Sequence, residues 1–430
     1  MLAAGLLLTV FLFVIGVPIW VALTGGSMFL LFFHISTNAQ MIPLSFFGGI
    51  DSFTLMACPF FLIAGNVMAY GGTSPYIYNV INSFFGRKKG GIAFTTVLMC
   101  MVYAAITGST LATLSGVATI AVPNMLKQGY SKKFCGGLLA VCATLGQMIP
   151  PSVYMIIYGT LTQENAGTLF ISGIVPGCIC GLAIGAVAFL KSPEIDVEYI
   201  NSLDQSYFSW GSRGKFFLRG LGALMMPVIV LGGIYSGLAT PTEAGAFAVI
   251  YGVLISVFGY RTMTSKGLVK AMKESATTNS MIFMLVPASL LFAIPLTFAR
   301  LPQQLGEYVA SLGLSGTEII VAVTILYLIL GCFLDSLPIM FLTIPILLPS
   351  LQAAGVNMIH FNIITILAMQ IGQVTPPFGV SLYVTSKVVG APMVDVLKEA
   401  LPYLFVLVVC LILFIYFPQI SLFLPQLMLS

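Results

Sequence analysis

Leu145-Gly-Gln-Met-Ile-Pro-Pro-Ser-Val153 returns later in the chain as Ile371-Gly-Gln-Val-Thr-Pro-Pro-Phe-Gly379. Four positions are identical, each pair 226 residues apart: Gly146 and Gly372, Gln147 and Gln373, Pro150 and Pro376, Pro151 and Pro377. Both copies sit inside a long apolar run. Proline removes a backbone donor and clashes with the preceding turn, so each copy must interrupt a helix. A helix broken inside a membrane frees amides and carbonyls that need partners, and such breaks persist only where they line a cavity or bind something. Matching interruptions in two halves are the sequence mark of a secondary transporter's site.

The surrounding composition fits a membrane. Of 430 residues, 59% are hydrophobic and 7% charged, against about 25% charged in soluble chains, and the mean hydropathy is +1.06. Span-length apolar runs recur from end to end without β-barrel alternation, which predicts an all-α polytopic membrane protein with no soluble domain. The net charge of +4 reports orientation through short basic loops rather than affinity for nucleic acid. The N-terminal apolar run has neither a basic leader nor a small-residue cleavage site and is expected to stay as a span. Eight cysteines are scattered through apolar segments. Cys178 and Cys180 should point to different sides of a helix, and packing is the expected role of all eight.

Working outward from the two breaks gives two repeats, residues 1–190 and 216–430, joined by a polar cytoplasmic connector at 191–215. In the first, spans are expected at 2–23 and 26–47, divided at Thr24-Gly-Gly, and at 53–71, followed by an amphipathic interfacial helix over 74–86. Residues 92–126 carry a central Thr107-Gly-Ser-Thr-Leu-Ala-Thr113 and basic residues at both ends (Arg87, Lys88, Lys89; Lys127, Lys132, Lys133), which predicts a re-entrant hairpin turning back near Ser109. The broken helix 134–159 and a span at 167–190 complete that half. The second half has spans at 217–237, 244–260 and 279–299, an amphipathic stretch at 301–314, a hairpin at 318–350 broken at Gly331-Cys-Phe-Leu-Asp-Ser-Leu-Pro338, the broken helix 361–386, and a span from 401 to about 425. Each repeat therefore has five spans, one hairpin and one broken helix. An odd number of crossings inverts the second repeat, puts the hairpins on opposite faces and leaves both termini periplasmic.

Freed carbonyls and Ser or Thr hydroxyls are the ligands a small hard cation takes without a buried carboxylate. A small cation is therefore expected at Thr107, Gly108, Ser109, Gly146, Met148 and Pro150 in one half, and at Gly331, Asp335, Gly372, Val374 and Thr375 in the other. Substrate is expected at Ser109, Thr113, Arg300, Asp335, Ser336 and Pro377, with Thr375 also within reach. Each such Gly, Ser or Thr would also serve close helix packing. Two breaks in register are not needed for packing alone. Asp335, an acidic residue placed at mid-depth at a cost of roughly 2.5 to 3.5 kcal/mol, would hold a cation, accept hydrogen bonds from a hydroxylated substrate, or cap the helix that follows. Arg300 would pair with an anionic substrate or anchor its span at the interface. Glu243, after Thr240-Pro-Thr, fits a helix N-terminus. His34 and His360 stand apart, and no phosphate-binding loop, zinc motif or ATP-binding signature occurs, so no cofactor beyond the coupling ion, and no transition metal, is expected. An ion channel or facilitator would use the same breaks without stoichiometric coupling. A membrane enzyme would need a convergent acid, base or nucleophile that Asp335 lacks in the sequence, and a scaffold would need no mirrored breaks.

With Gly-Ser-Thr at 108–110, Gly-Gln-Met-Ile-Pro-Pro-Ser at 146–152, Gly-Leu-Ala-Thr-Pro-Thr-Glu-Ala at 237–244 and Gly-Gln-Val-Thr-Pro-Pro at 372–377, the chain resembles the large membrane subunit of tripartite ATP-independent periplasmic (TRAP) transporters over its whole length. The resemblance implies a sodium-driven importer of the ion-transporter superfamily in the bacterial inner membrane, working by an elevator motion, and so makes sodium the expected cation. It implies a soluble periplasmic binding protein that delivers an organic acid, and a small four-helix membrane subunit, here a separate chain. Its general likeness is to the sialic acid branch, with C4-dicarboxylate and other organic-acid members sharing the same landmarks.

Overall fold

The computed structural model describes residues 2–35, 40–193, 205–301, 303, 304, 307, 311 and 313–429, and the described residues form helices joined by short turns. Half of the expected amphipathic stretch 301–314, and residues 194–204 of the connector, lie outside the described residues.

The first repeat runs α1 (Leu2–Val14), α2 (Ile19–Leu30, extended by a π-turn over Leu31–Ile35), α3 (Met41–Ile50), α4 (Ala57–Tyr70), α5 (Ser74–Phe85), α6 (Gly91–Thr107), α7 (Thr110–Lys127), α8 (Lys132–Cys142), a 3₁₀ turn (Ala143–Gln147), α9 (Val153–Thr162) and α10 (Ala166–Lys191). After a 3₁₀ turn at Gln205–Phe208 come α11 (Trp210–Tyr235), α12 (Pro241–Leu254, with a π-turn over Ile255–Gly259), α13 (Ser265–Phe298), α14 (Gly316–Gly331), α15 (Ser336–Ala353), α16 (Met358–Gly372), α17 (Val380–Val389), α18 (Met393–Tyr416) and α19 (Gln419–Leu429).

The two hairpins appear as α6–α7 and α14–α15, turning at Gly108-Ser109 and Cys332–Asp335. The bounds of α7 and α15 are offset by the same 226 residues as the repeated motif. So are the N-caps of the broken helices. Ser131 accepts from Phe134 N at the start of α8, and Asn357 accepts from Ile359 N and His360 N at the start of α16. Side-chain oxygens there satisfy amides that the first helical turn leaves unpaired. Two capping boxes mark other starts. Thr240 and Glu243 open α12 with Pro241 at its first position, and Ser315 and Glu318 open α14.

Five expected boundaries move. The first break falls at Ile15–Pro18, with Gly16 in the left-handed region, not at Thr24-Gly-Gly. Pro18 cannot continue α1, whereas Gly26 stays helical because its missing side chain makes room for α1: a Cβ there would sit 1.9 Å from Thr9 Oγ1. The expected span 26–47 is divided between α2 and α3. In the second half the 279–299 span begins fourteen residues earlier, at Ser265. Its 34 residues make a helix about 51 Å long, which carries Lys266, Lys270 and Lys273. Ser209, accepting from Ser212 N, starts α11 at Trp210, so Arg213 and Lys215 are helical rather than part of the connector. The last span starts at Met393 and ends at Tyr416, before Pro418.

The helices pack in two groups. α4 packs on α12 and α13, α2 on α1 and α13, α3 on α13, and α11 on α5 and α12. The hairpins and broken helices form the other group: α14 on α16, α6 on α7 and α10, α8 on α17 and α18, and α10 on α18 and α19. The groups meet where α4 touches α6, α7 and α9, where α5 touches α6 and α7, and where α13 touches α15. That seam is close at Gly65, whose Cβ would lie 2.8 Å from Thr107 Cα. It is also polar, because the buried Tyr103 hydroxyl of α6 hydrogen-bonds both Thr73 Oγ1 (3.0 Å) and Ser74 Oγ (2.5 Å) at the start of α5. All eight cysteines are free, with Cys178 exposed and Cys180 buried.

Candidate functional site

The two broken segments meet at their glutamines. Gln147 Nε2 donates to Gln373 Oε1 (2.8 Å) and to Thr110 Oγ1 (3.0 Å). Gln373 Nε2 donates to Ser336 Oγ (3.0 Å) and to Asp335 Oδ1, and Ser336 Oγ closes the ring by donating to Gln147 Oε1 (3.0 Å). Thr110 and Ser336 are themselves 226 residues apart, each the first residue of the second helix of its hairpin. The centre is therefore a matched set, with one Gln from each break and one hydroxyl from each hairpin. Gln147, Gln373, Thr110 and Ser336 are all buried. An unpartnered amide at such depth costs about 1 to 3 kcal/mol, and here every amide hydrogen and carbonyl of the pair is used. Hydrogen bonds in a ring polarise one another, so the set fixes both hairpins against both breaks.

Around this ring the tips lie directly on backbone. Gly108, in the left-handed region at φ +60, would place a Cβ 2.6 Å from Pro151 O, and Gly146 would place one 2.6 Å from Ser109 O and 2.8 Å from Thr113 Oγ1. In the second half, a Cβ on Gly372 would fall 2.6 Å from Gly331 Cα, while Phe378 N (3.2 Å) and Gly379 N (3.4 Å) donate to Cys332 O. Only glycine permits these approaches. Both Pro-Pro peptide bonds are cis.

The expected sodium residues Thr107, Gly108, Ser109 and Gly146 come together. Thr107 Oγ1 stands 2.8 Å from Thr113 Oγ1 and 3.4 Å from Ser109 O, and it donates to Tyr103 O. Met148 O sits against Gly173 of α10. Gly331, Asp335 and Gly372 converge on the second side, with Thr375 donating to Ile371 O and Val374 buried beside them in the chain. Asp335 occupies the N-cap position of α15 without a side-chain cap hydrogen bond; its carboxylate takes the Gln373 amide instead. Of the expected substrate residues, Thr113 and Ser336 are buried in the packing just described, Ser109 and Asp335 are half-buried, and Pro377 is exposed next to Phe378. Arg300 is exposed at the end of α13, at φ +54. His360 is buried, its Nδ1 2.7 Å from Ser421 Oγ. Gln147, Gln373 and Thr110 were absent from the expected ligands. Two of the three are identical positions of the repeated motif, but their pairing depends on where the two distant breaks meet.

The breaks differ in access: residues 148–152 are buried throughout, whereas Pro376, Pro377 and Phe378 are exposed.

Residues 6–420 match the family model described as tripartite ATP-independent periplasmic transporter, DctM component. The chain belongs to this family. As a TRAP large subunit it is 37% identical over 405 residues to the C4-dicarboxylate TRAP transporter large permease DctM of Pseudomonas aeruginosa, covering 94% of this chain and 93% of that one. It is 31% identical to the sialic acid TRAP transporter large permease SiaM of Vibrio cholerae, over 96% of both chains. It is 34% identical to the isethionate TRAP transporter permease DctMQ of Oleidesulfovibrio alaskensis, covering 95% of this chain and 64% of that longer one. The TRAP fold also resembles the crystal structure of the Alcanivorax borkumensis YdaH transporter, with a TM-score of 0.56, 14% identity, and coverage of 88% of this chain and 87% of that one. The family is one of permeases rather than enzymes, and its large subunits work with a small membrane subunit and a periplasmic binding protein.

Proposed function

We propose that this TRAP large subunit imports a small organic anion with sodium, carrying both in the group formed by the hairpins and broken helices while α1–α5 and α11–α13 form a static frame in the inner membrane. The observation that carries this reading is the ring Gln147–Gln373–Ser336, which ties both hairpins to both breaks in one body. Neutral oxygens at Thr107, Ser109 and Thr113, with the backbone at Gly108 and Gly146, suit a hard monovalent cation. Gly331, Asp335, Gly372, Val374 and Thr375 supply the second cation position. Substrate reaches the centre at the open side of the second break, near Asp335, Thr375 and Pro377, with Ser109 across from them. Movement of one body past a frame needs no nucleotide, since cation binding supplies the differential affinity that biases the two positions. A separate small membrane subunit enlarges the frame, and the two repeats are inverted about the ring.

The 37% identity to a C4-dicarboxylate permease against 31% to a sialic acid permease favours a C4-dicarboxylate over the sialic acid suggested by general likeness. Liposomes carrying the large and small subunits, supplied with the binding protein and a panel of C4-dicarboxylates, sialic acid, ectoine and isethionate, decide between them. Saturable uptake of a C4-dicarboxylate alone is the expected outcome. Uptake of sialic acid in preference would restore the sequence-based reading, and uptake of none of the panel would remove the substrate class.

A further inference from the structure

A cleft of mixed polar and apolar lining lies in the frame, away from the ring. About 380 Å³ in volume, it is lined by Tyr76 of α5, Leu218, Arg219 and Gly222 of α11, and Ile255, Gly259 and Tyr260 at the end of α12. Its walls are built. The rings of Tyr76 and Tyr260 stack with centroids 4.0 Å apart, and the Tyr260 hydroxyl donates to Arg219 O (2.8 Å) while accepting from Ala223 N (2.9 Å). Tyr251 donates to Gly222 O (2.6 Å), and a Cβ on Gly222 would meet Ile255 Cδ1 at 2.7 Å, so the cleft depends on that glycine.

The chemistry of the lining is two-sided. Arg219 is exposed at the rim, and the same ends of α11 and α12 carry Arg213, Lys215 and Arg261. Arg213 is already engaged, its guanidinium over Phe84 and Trp210 and its Nε donating to Ser83 O. Leu218 in the lining is 71% exposed, and on the same two helix ends Phe258 is 69% exposed, with Leu221 and Leu254 also open. A guanidinium with no ion pair among the described residues, near exposed aliphatic and aromatic side chains, suits a phosphate diester with acyl chains attached. Guanidinium binds phosphate through paired hydrogen bonds, and basic pockets between membrane helices hold anionic headgroups.

We infer that the Tyr76–Arg219–Tyr260 cleft binds the phosphate of an anionic phospholipid, whose chains cover Leu218, Leu221, Leu254 and Phe258. The site joins α5, which packs on hairpin helix α6, to α11 and α12. An occupant there braces the helix that borders the seam between the two groups.

The test is native mass spectrometry of the purified complex of large and small subunits, equilibrated with phosphatidylglycerol and phosphatidylethanolamine in equal amounts. Wild type is expected to retain phosphatidylglycerol in preference, Arg219→Lys to keep only part of that preference because an ammonium cannot make the paired hydrogen bonds, and Arg219→Ala to lose roughly tenfold of it. Arg87→Ala, remote from the cleft lining, is expected to behave as wild type. Equal retention by wild type and Arg219→Ala would overturn the inference. So would displacement of the bound lipid by millimolar inorganic phosphate, which would make the ligand a soluble anion, or crosslinking of the cleft to the small subunit, which would make the occupant a protein.

Discussion

Gln373→Leu is expected to lower binding-protein-dependent uptake about a hundredfold, the equivalent of roughly 3 kcal/mol, while leaving the protein folded. The substitution keeps the volume and removes both donors. Asp335 Oδ1 loses the amide it faces, Ser336 Oγ loses one partner, and Gln147 Nε2 loses its acceptor across the ring. A buried group left without its partner bears the full desolvation penalty, larger than the net value of the bond itself. Initial uptake rates, with the amount of folded complex checked by size-exclusion chromatography, measure this. A double-mutant cycle with Asp335→Asn is expected to show coupling of about 1 to 3 kcal/mol, because the two side chains share one hydrogen bond. Rates within twofold of wild type for Gln373→Leu would mean that the ring is packing and nothing more.

The second large effect is structural. Gly372→Val is expected to cost roughly 1 to 3 kcal/mol or more and to lower Tm, because its Cβ would fall 2.6 Å from Gly331 Cα, backbone against backbone with no flexible side chain to yield. Separating α14 from α16 also strains the bonds from Phe378 N and Gly379 N to Cys332 O that hold the open break to the hairpin. Gly48→Ala is the control and should leave Tm unchanged, because a Cβ added there would meet no atom within 4 Å and the residue has no positive φ. Thermal unfolding of the two purified variants compares them directly. A Gly372→Val protein as stable as wild type would show that the hairpin and break do not need to touch.

The sequence made the hairpin tips and the two breaks legible because glycine and proline act locally. Gly108-Ser109 closes one helix and opens the next, and the adjacent Pro150 and Pro151 stop the first broken helix, whereas single prolines such as Pro123 and Pro176 stay inside helices. It misled at Thr24-Gly-Gly for the same reason turned round. A glycine pair reads as a break, yet Gly26 remains helical because α1 packs across it, and only the tertiary contact with Thr9 reveals that. The length of α13 is also hidden, since its first turns, with Lys266, Lys270 and Lys273, are too polar to read as a span although nothing in that stretch stops a helix. Around the ring, Thr107, Ser109, Asp335 and Ser336 stand out in the sequence as hydroxyls and a carboxylate at the hairpin tips, but the contact of Gln147 with Gln373 does not, because pairing across the halves depends on where two distant segments meet. Thr113 carries a hydroxyl like its neighbours, and only burial against Thr107 and Gly146 shows that it supports the tip from within.

The most direct measurement is uptake into liposomes containing both membrane subunits, with the binding protein outside and external sodium replaced by an equal concentration of potassium. The proposed function has substrate moving only with its cation, so uptake is expected to fall to the level of protein-free liposomes. Undiminished transport in potassium would contradict the central claim.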